Sequence, residues 1–383
     1  MRQEFLKFAP PAVGEEEIAA VLETMRSGWI TTGPKVKQFE ETFANFLGAP
    51  AALAVNSCTS ALHLALWAHG IKEGDEVITT PLTFVATVNV IEHVNATPVF
   101  VDVEPDTLNI CPDAVEAAIT PKTKAVLAVH YAGHPADMTR LKRITEKHGI
   151  KLVVDAAHAL PASCDGVMVG GDEILTGFSF YATKNLTTAE GGMLTGSEEL
   201  IEKARIASLH GMSRDAWKRY DNPGAWFYEV VTPGFKYNMT DIQAAIGLTQ
   251  MSRLSTFQGR RHELVHRYSS AFENQPALRA PVTRPGIGHA WHLYVLRLRE
   301  DALRIGRNEF ITELAKRNIG SSVHFIPIHK HPYYADRFGP QDVPVAEGAY
   351  ESMLSLPLHP GLTDQDQDDV ITEVIDLCRE FAA

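Results

Sequence analysis

Asp155 and Lys184 are the residues of this chain best suited to act together, 29 positions apart (184 − 155). Asp155 closes the apolar run Leu152-Val153-Val154, and Lys184 follows the aromatic-rich run Phe178-Ser179-Phe180-Tyr181-Ala182-Thr183. An unpaired charge is expensive in an apolar setting, so a carboxylate ending a buried-type strand must be paired, capped or functional. A lysine desolvated beside apolar groups loses proton affinity and becomes a nucleophilic amine. Neighbouring strands of an α/β sheet bring such groups to one site beyond their carboxyl ends. A carboxylate facing a pyridinium nitrogen and a lysine facing an aldehyde carbon form the pair that pyridoxal phosphate requires.

Other residues extend the same chemistry. Asn56-Ser57-Cys58-Thr59-Ser60-Ala61 joins a strand-like run to a helix-like one. Free N–H groups and the positive dipole end of a helix favour a phosphate there, and Thr59 and Ser60 add hydroxyls. Ser179 lies five residues before Lys184 (184 − 179) and can donate to the same anion. Phe84, at the next strand-to-helix junction, can stack on a flat heterocycle. Taken singly, each has a structural alternative: an N-capping turn, a core phenylalanine, a capping aspartate, an exposed lysine. Trp29, in the loop Gly28-Trp29-Ile30-Thr31-Thr32-Gly33-Pro34, reads either as a wall of the substrate site or as a half-buried loop residue.

These residues need elements to hold them, and the hydrophobic pattern supplies an alternation. Strand-like runs at 51–55, 76–80, 98–103, 124–130 and 151–157 are separated by helical patterns near 60–70, 84–94, 112–119 and 138–149. Two amphipathic helices precede them. Such alternation predicts an α/β protein with a mostly parallel sheet and helices on both faces. After Lys184 come a strand at 190–195, a helix at 197–211 and a long Gly-, Pro- and aromatic-rich loop at 211–239. Thr240 and Asp241 cap a helix to 251, and a second helix covers 252–272. A boundary near residue 250 therefore divides a large domain, 1–250, from a smaller α+β domain, 251–383. The smaller one is expected to hold a strand at 292–298, a helix at 306–320, a strand at 321–329 and closing helices at 347–361 and 364–382.

Composition excludes several classes. The chain has 383 residues, 45% hydrophobic and 21% charged, enough for a sizeable core. A formal net charge of −12 argues against general nucleic-acid binding. The four cysteines, Cys58, Cys111, Cys164 and Cys378, form no Cys-x-x-Cys pair, so neither a disulfide framework nor a zinc ribbon is expected. No metal site is expected. The N-terminus lacks the apolar core of a signal peptide, and no stretch approaches the roughly 20 apolar residues of a membrane span. A soluble cytoplasmic protein without membrane or nucleic-acid partners is the expectation.

The ordered motifs resemble the DegT/StrS-type nucleotide-sugar aminotransferases, of the aspartate-aminotransferase fold (pyridoxal phosphate fold type I). The resemblance covers nearly the whole chain. It runs through Gly28–Pro34, the Asn56–Ala61 turn, Gly74-Asp75-Glu76-Val77-Ile78, Pro81–Thr87, Asp155-Ala156-Ala157-His158-Ala159, Phe178–Asn185 with Glu190-Gly191-Gly192, Gly234–Asp241 and Val323-His324-Phe325-Ile326-Pro327. It implies that Lys184 forms the Schiff base, Asp155 pairs with the pyridine nitrogen, and His158 lies near the ring oxygen. Phe84 would stack on the ring, and Thr59, Ser60 and Ser179 would hold the phosphate. Asn238, with Lys236 beside it, would reach the phosphate from a neighbouring subunit, implying a homodimer with shared sites. Cys58 stands where the family commonly has glycine, and Lys236-Tyr237-Asn238 where many members carry Asn-x-Arg. That loop and His158, where many C3-specific members have glutamine, resemble the C4-specific enzymes.

The resemblance further implies a ping-pong transamination in which L-glutamate is the donor, 2-oxoglutarate leaves, and a 4-keto nucleotide sugar is aminated, with Lys184 moving the proton. A UDP-4-keto pentose, giving UDP-4-amino-4-deoxy-L-arabinose, is the first choice. A 4-keto-6-deoxy hexose on UDP, GDP or dTDP is the alternative. His324, His329 and Arg214 are the expected sugar or donor contacts. A keto-sugar dehydratase on this fold carries histidine in place of the lysine, and a non-catalytic sensor requires loss of Lys184 or Asp155; both residues are present.

Overall fold

The computed structural model of the chain describes residues 2–212 and 228–383. Helices α1 (Glu15–Ser27) and α2 (Pro34–Leu47) come first. Gly28, at φ 78°, ends α1 in the left-handed conformation, and Pro34 opens α2 where its missing N–H is not needed. The expected alternation follows. Strand β1 (Ala51–Val55) leads into α3 (Cys58–Ala68), β2 (Glu76–Thr79) into α4 (Ala86–His93) and β3 (Thr97–Phe100) into α5 (Pro112–Ala117). Next, β4 (Thr123–Val129) leads into α6 (Met138–His148) and β5 (Lys151–Asp155) into the short strands β6 (Ser163–Cys164) and β7 (Val167–Met168). Strands β8 (Leu175–Ser179) and β9 (Gly192–Gly196) and helix α7 (Glu198–Ser208) complete the large layer.

The main sheet has the order β1-β9-β8-β5-β4-β2-β3. It is an α/β sheet of mostly parallel strands, as the alternation predicts, with β9 antiparallel to both β1 and β8. Its central strands are nearly continuous apolar runs because helices cover both faces. Strand β1 lies at the edge, paired with β9.

Helix α8 (Asp241–Phe272) is one 32-residue helix, not the two separated near residue 250 that the pattern suggested. Thr240 and Gln243 form its capping box. The supposed junction is pinned from outside: Gln250 Nε2 donates to Glu17 Oε1 at 2.7 Å and to the Ala12 carbonyl at 2.9 Å. Arg253 pairs with the same Glu17 carboxylate at 2.8 Å. The later residues Leu264, Val265, Tyr268 and Phe272 join a separate apolar cluster with the C-terminal elements.

Those elements are β10 (Leu278–Arg279), β11 (Ile287–Gly288), β12 (Tyr294–Leu298), α9 (Arg307–Lys316), α10 (Pro332–Phe338), α11 (Pro344–Ser352), β13 (Met353–Leu356) and α12 (Asp364–Glu380). Two expectations are corrected here. The run 347–361 is not one helix; Met353–Leu356 pairs with β12, because a cross-strand partner outweighs weak local helical spacing. The run 321–329 is not a strand: apart from a bridge between Ser322 and Ser355, it is an irregular connection ending in a short 3₁₀ turn. Pro327 removes one of the donors a strand would need. Among the described residues, no helix is long and apolar enough to cross a membrane.

Candidate active site

The carboxyl ends of β5 and β8 lie side by side, with Asp155 opposite Gly177. The chain leaving β8 turns so that Lys184 and Asp155 line one cavity of about 440 Å³. Backbone bonds from Lys184 N–H to the Tyr181 carbonyl (3.0 Å) and from Thr188 N–H to Phe180 (2.9 Å) hold that turn. Asn185 anchors it. Its Nδ2 donates to the carbonyls of Leu160 (2.9 Å) and Ala290 (2.8 Å), and its Oδ1 lies 3.2 Å from His292 Nδ1. An amide oxygen only accepts, so His292 Nδ1 carries a proton. Burial holds this ring neutral by lowering its pKa well below the usual range, which leaves Nε2 as an acceptor.

Asp155 is buried in the cavity wall. Its Oδ2 accepts from the Thr87 hydroxyl at 2.7 Å and its Oδ1 from the Ala157 N–H at 3.0 Å. Thr83 Oγ1 lies 2.7 Å from Thr87 Oγ1. Since the single Thr87 proton goes to Asp155, Thr83 donates to Thr87. Burial raises the Asp155 pKa, and the two donors and the Lys184 charge oppose that rise. Lys184 is shifted the other way, lowered by burial to about 8 against the attraction of Asp155. Their mutual influence is coulombic rather than through a hydrogen bond.

His158 is buried beside them, its ring centroid 4.5 Å from that of His292 and 5.7 Å from Phe325. Burial and the Lys184 charge keep it neutral, and its Nδ1 has no partner among the described residues. A buried polar atom left this way is costly unless a bound group completes it. His324 also lines the cavity, its pKa lowered to about 4 by burial and Lys184. Its Nδ1 lies 2.9 Å from Ser355 Oγ, and its carbonyl accepts the Tyr131 hydroxyl.

The N-terminus of α3 also faces this cavity. Ser57 caps it, accepting the Ser60 N–H at 3.1 Å, and Ser57, Cys58, Thr59 and Ser179 line the cavity. Burial and Asp155 push the Cys58 pKa well up, so Cys58 offers a neutral thiol. Ser60 turns back instead: its hydroxyl donates to Asn56 Oδ1 at 2.6 Å and lies 3.0 Å from Ser57 Oγ, bracing the turn. A Cβ on Gly192 would stand 2.5 Å from the Ser57 carbonyl carbon and 2.6 Å from the Cys58 nitrogen, so only glycine lets β9 pass here. Phe84 precedes α4, which begins at Ala86, and its ring, 57% exposed, stands at the cavity mouth.

Other expected site residues are elsewhere. Trp29 and Asn238 meet at Thr32, which accepts the indole N–H on its carbonyl (3.0 Å) and the Asn238 Nδ2 on its hydroxyl (2.7 Å). Both line a wider cleft of about 700 Å³ with Glu40 and Arg205. His329 pairs with Glu347 at 2.9 Å and does not line the Lys184 cavity. Arg214 lies outside the described residues. Thr87, Asn185 and His292 were not anticipated. The Thr83/Thr87 spacing and the position of Asn185 beside Lys184 were their only signals; His292 had none.

The donor set fits pyridoxal phosphate. It offers an anion site at a helix N-terminus, a buried carboxylate for the ring nitrogen, an orphan imidazole nitrogen for a ring substituent, and an amine of lowered basicity. Among the described residues, no group of three or more His, Cys, Asp or Glu side chains is placed to hold a metal.

Comparison with known proteins agrees with this chemistry. The profile of the DegT/DnrJ/EryC1/StrS aminotransferase family matches residues 11–375. The spore coat polysaccharide biosynthesis protein SpsC of Bacillus subtilis (strain 168) is 52% identical over 382 residues, covering 99% of this chain and 98% of SpsC. Spr1654 of Streptococcus pneumoniae, assigned as a sugar aminotransferase and solved in its PMP form, superposes with a TM-score of 0.92 at 37% identity, covering 98% of this chain and 99% of Spr1654. Helicobacter pylori PseC, an aminotransferase involved in the biosynthesis of pseudoaminic acid, superposes with a TM-score of 0.91 at 30% identity, covering 99% and 100%.

Proposed function

This chain belongs to the DegT/DnrJ/EryC1/StrS aminotransferase family, and on that premise we propose that it moves the amino group of L-glutamate to the C4 carbon of a 4-keto nucleotide sugar. It is a pyridoxal phosphate-dependent sugar aminotransferase with the aspartate-aminotransferase fold. The observation that carries the reading is the convergence of Asp155, Lys184 and the α3 N-terminus on one cavity.

When bound, the cofactor supplies an electron sink for the donor's α-carbon. The chain supplies the rest. The α3 N–H groups with Thr59 and Ser179 hold the phosphate, and Ser60 keeps their turn in shape. Asp155, ionised with help from Thr87 and Ala157, holds a proton on the ring nitrogen. The unpartnered His158 Nδ1 would serve the ring oxygen, and Phe84 and Phe325, which line the same cavity, would cover the ring and exclude water. Lys184, with a pKa of about 8, can both take and return a proton near neutral pH, a role worth typically ~10²–10⁴-fold in rate. His324 is assigned to the sugar.

Asn238 is assigned to the phosphate of a partner's site, because within its own chain it lies in the wider cleft with Trp29. A homodimer with shared sites follows from that assignment. The division into a cofactor-binding part, 1–250, and a smaller part, 251–383, places all the cofactor contacts named here except Phe325 in the first. His158 and the Lys236-Tyr237-Asn238 loop support C4 amination, with UDP-4-amino-4-deoxy-L-arabinose as the first product. The likeness to PseC, an aminotransferase involved in the biosynthesis of pseudoaminic acid, supports a sugar other than L-arabinose as the alternative.

The test is spectroscopic and then chemical. Added cofactor should give a band in roughly the 330–420 nm region that shifts on adding L-glutamate. Lys184→Ala should lose the lysine-linked band and turnover; persistent turnover would refute the assignment. A panel of 4-keto and 3-keto nucleotide sugars, read by product mass, decides regiochemistry, and preference for a 3-keto substrate would defeat the C4 reading.

A further inference from the structure

His324 enters the reaction cavity as a neutral ring, its pKa lowered to about 4, so one ring nitrogen carries a proton and the other does not. Which nitrogen carries it decides whether the ring gives the substrate a donor or an acceptor. We propose that Ser355 is a positioning residue that fixes His324 as the Nε2–H tautomer, presenting a hydrogen-bond donor to the keto oxygen of the substrate. The inference rests on the transamination reading above and adds to it the group that meets that oxygen.

Ser355 lies on β13 opposite Val295 and is fully buried. Its N–H donates to the Ser322 carbonyl at 2.7 Å, and its carbonyl accepts the Ser322 N–H at 3.2 Å. Its hydroxyl has one hydrogen-bond partner among the described residues, His324 Nδ1 at 2.9 Å. If Nδ1 carried the proton, the serine would only accept, and its own buried O–H would be left without an acceptor, a costly arrangement. Ser355 therefore donates, Nδ1 accepts and Nε2 holds the proton. Ser355 does not line the cavity, so Nε2 is the nitrogen left to face it. Nε2 has no partner of its own among the described residues.

The ring is held from other sides as well. Phe8 stacks on it, with centroids 5.4 Å apart and planes 28° apart, and Phe325 meets it edge-on at 5.0 Å. The Tyr131 hydroxyl donates to the His324 carbonyl, and burial pushes the pKa of that phenol up, so it keeps its proton. His292, in the same cavity, is neutral with its proton on Nδ1. The two imidazoles are thus set to opposite tautomers, one an acceptor and one a donor.

A keto oxygen only accepts, so it needs a donor, whereas a hydroxyl could turn to suit either tautomer. As the incoming amine nitrogen bonds to the keto carbon, the carbonyl π pair moves onto oxygen. The amine's two protons finally leave with that oxygen as water. Nε2–H stabilises the growing charge by a hydrogen bond and keeps its own proton, as a preorganised donor does. A neutral imidazole is able to act as such an electrophile.

The experiment uses the cofactor-loaded protein with isotope-labelled histidine nitrogens, whose NMR shifts report which nitrogen is protonated. The His324→Asn spectrum identifies the His324 signals. Wild type should show a protonated Nε2 and a bare Nδ1 at His324. Ser355→Ala should admit the other tautomer, and Ser355→Thr, which keeps the hydroxyl, should retain the first. Single turnovers of the pyridoxamine phosphate form are then followed with 2-oxoglutarate and with a UDP-4-keto pentose. Ser355→Ala should slow the maximal rate about tenfold with little change in the half-saturating concentration, and Ser355→Thr should keep most of the rate. That loss is smaller than the ~10²–10³-fold for deleting such a donor, because the ring remains. Cofactor content and thermal unfolding serve as folding controls. A bare Nε2 in wild type, or a Ser355→Ala rate equal to that of wild type, would overturn the inference while leaving the transamination reading intact. Failure of the wild type to turn over either keto substrate would overturn both.

Discussion

A buried carboxylate stays ionised only where hydrogen bonds replace the water it has lost, and Asp155 relies on two donors, the Thr87 hydroxyl and the Ala157 N–H. Thr87→Val removes the first without changing shape much. It should weaken the charged form by about 1.5–3 kcal/mol, the range for a hydrogen bond to an ion. The sign follows from the direction of the shift. Burial already raises the Asp155 pKa and the Thr87 bond opposes that rise, so its loss raises the pKa further. The acid limb of the pH–rate profile should therefore move to higher pH in Thr87→Val and return in Thr87→Ser. An unmoved limb would show that Thr87 does not set the Asp155 charge. Asp155 and Lys184 were legible as candidates because their residue types and apolar lead-ins carry a chemical meaning, whereas His158 came from the family resemblance. Thr87 was not. A threonine on an apolar helix reads as packing, and it meets Asp155 only because the sheet order brings α4 over a strand 68 residues further along the chain.

Among the elements, β9 works to the tightest tolerance. It is held between β1 and β8, with Gly192 opposite both Val55 and Ser179, and it passes under the Ser57–Cys58 peptide. Gly192→Ala would press a methyl group against backbone, which cannot swing aside like a side chain. The expected cost is about 1–3 kcal/mol or more in folding stability, with cofactor affinity reduced because the displaced atoms belong to the phosphate turn. Thermal unfolding with and without cofactor measures both losses. An unchanged cofactor affinity would mean that β9 can shift without disturbing α3. Strands and helices of the main layer were readable from periodicity, since each buries its own face locally. Residues 241–272 and 353–356 were less so. Their state is set by partners distant in sequence: Glu17 pins the middle of α8, and β12 recruits β13.

For the whole molecule, the separation of Asn238 from the Lys184 cavity makes a distinctive forecast. If a partner's Asn238 completes each site, Lys184→Ala and Asn238→Ala subunits should each be impaired alone. Mixed and re-equilibrated, they should regain activity, because each mixed dimer contains one site with an intact Lys184 and an intact partner Asn238. No recovery, with exchange verified by mass, would place Asn238 outside the shared site. Such an arrangement is not written in spacing or periodicity; it came from the family resemblance. The large-scale α/β order, by contrast, was plain from the alternation alone. The edge position of β1 also has a consequence in time. The Asn56 N–H behind the phosphate turn is satisfied by the Tyr237 carbonyl at 2.8 Å, and β1 pairs with residues 192–196. The ribosome must therefore add 181 residues (237 − 56) after Asn56 before that turn has its backing, roughly 10–40 s at synthesis rates of about 5–20 residues per second. Until then, the nascent chain has no finished phosphate cradle, and before residues 192–196 are made β1 lacks its sheet partner as well. Cofactor supply thus cannot guide the early stages of folding; it can only secure a chain that is already nearly two-thirds made.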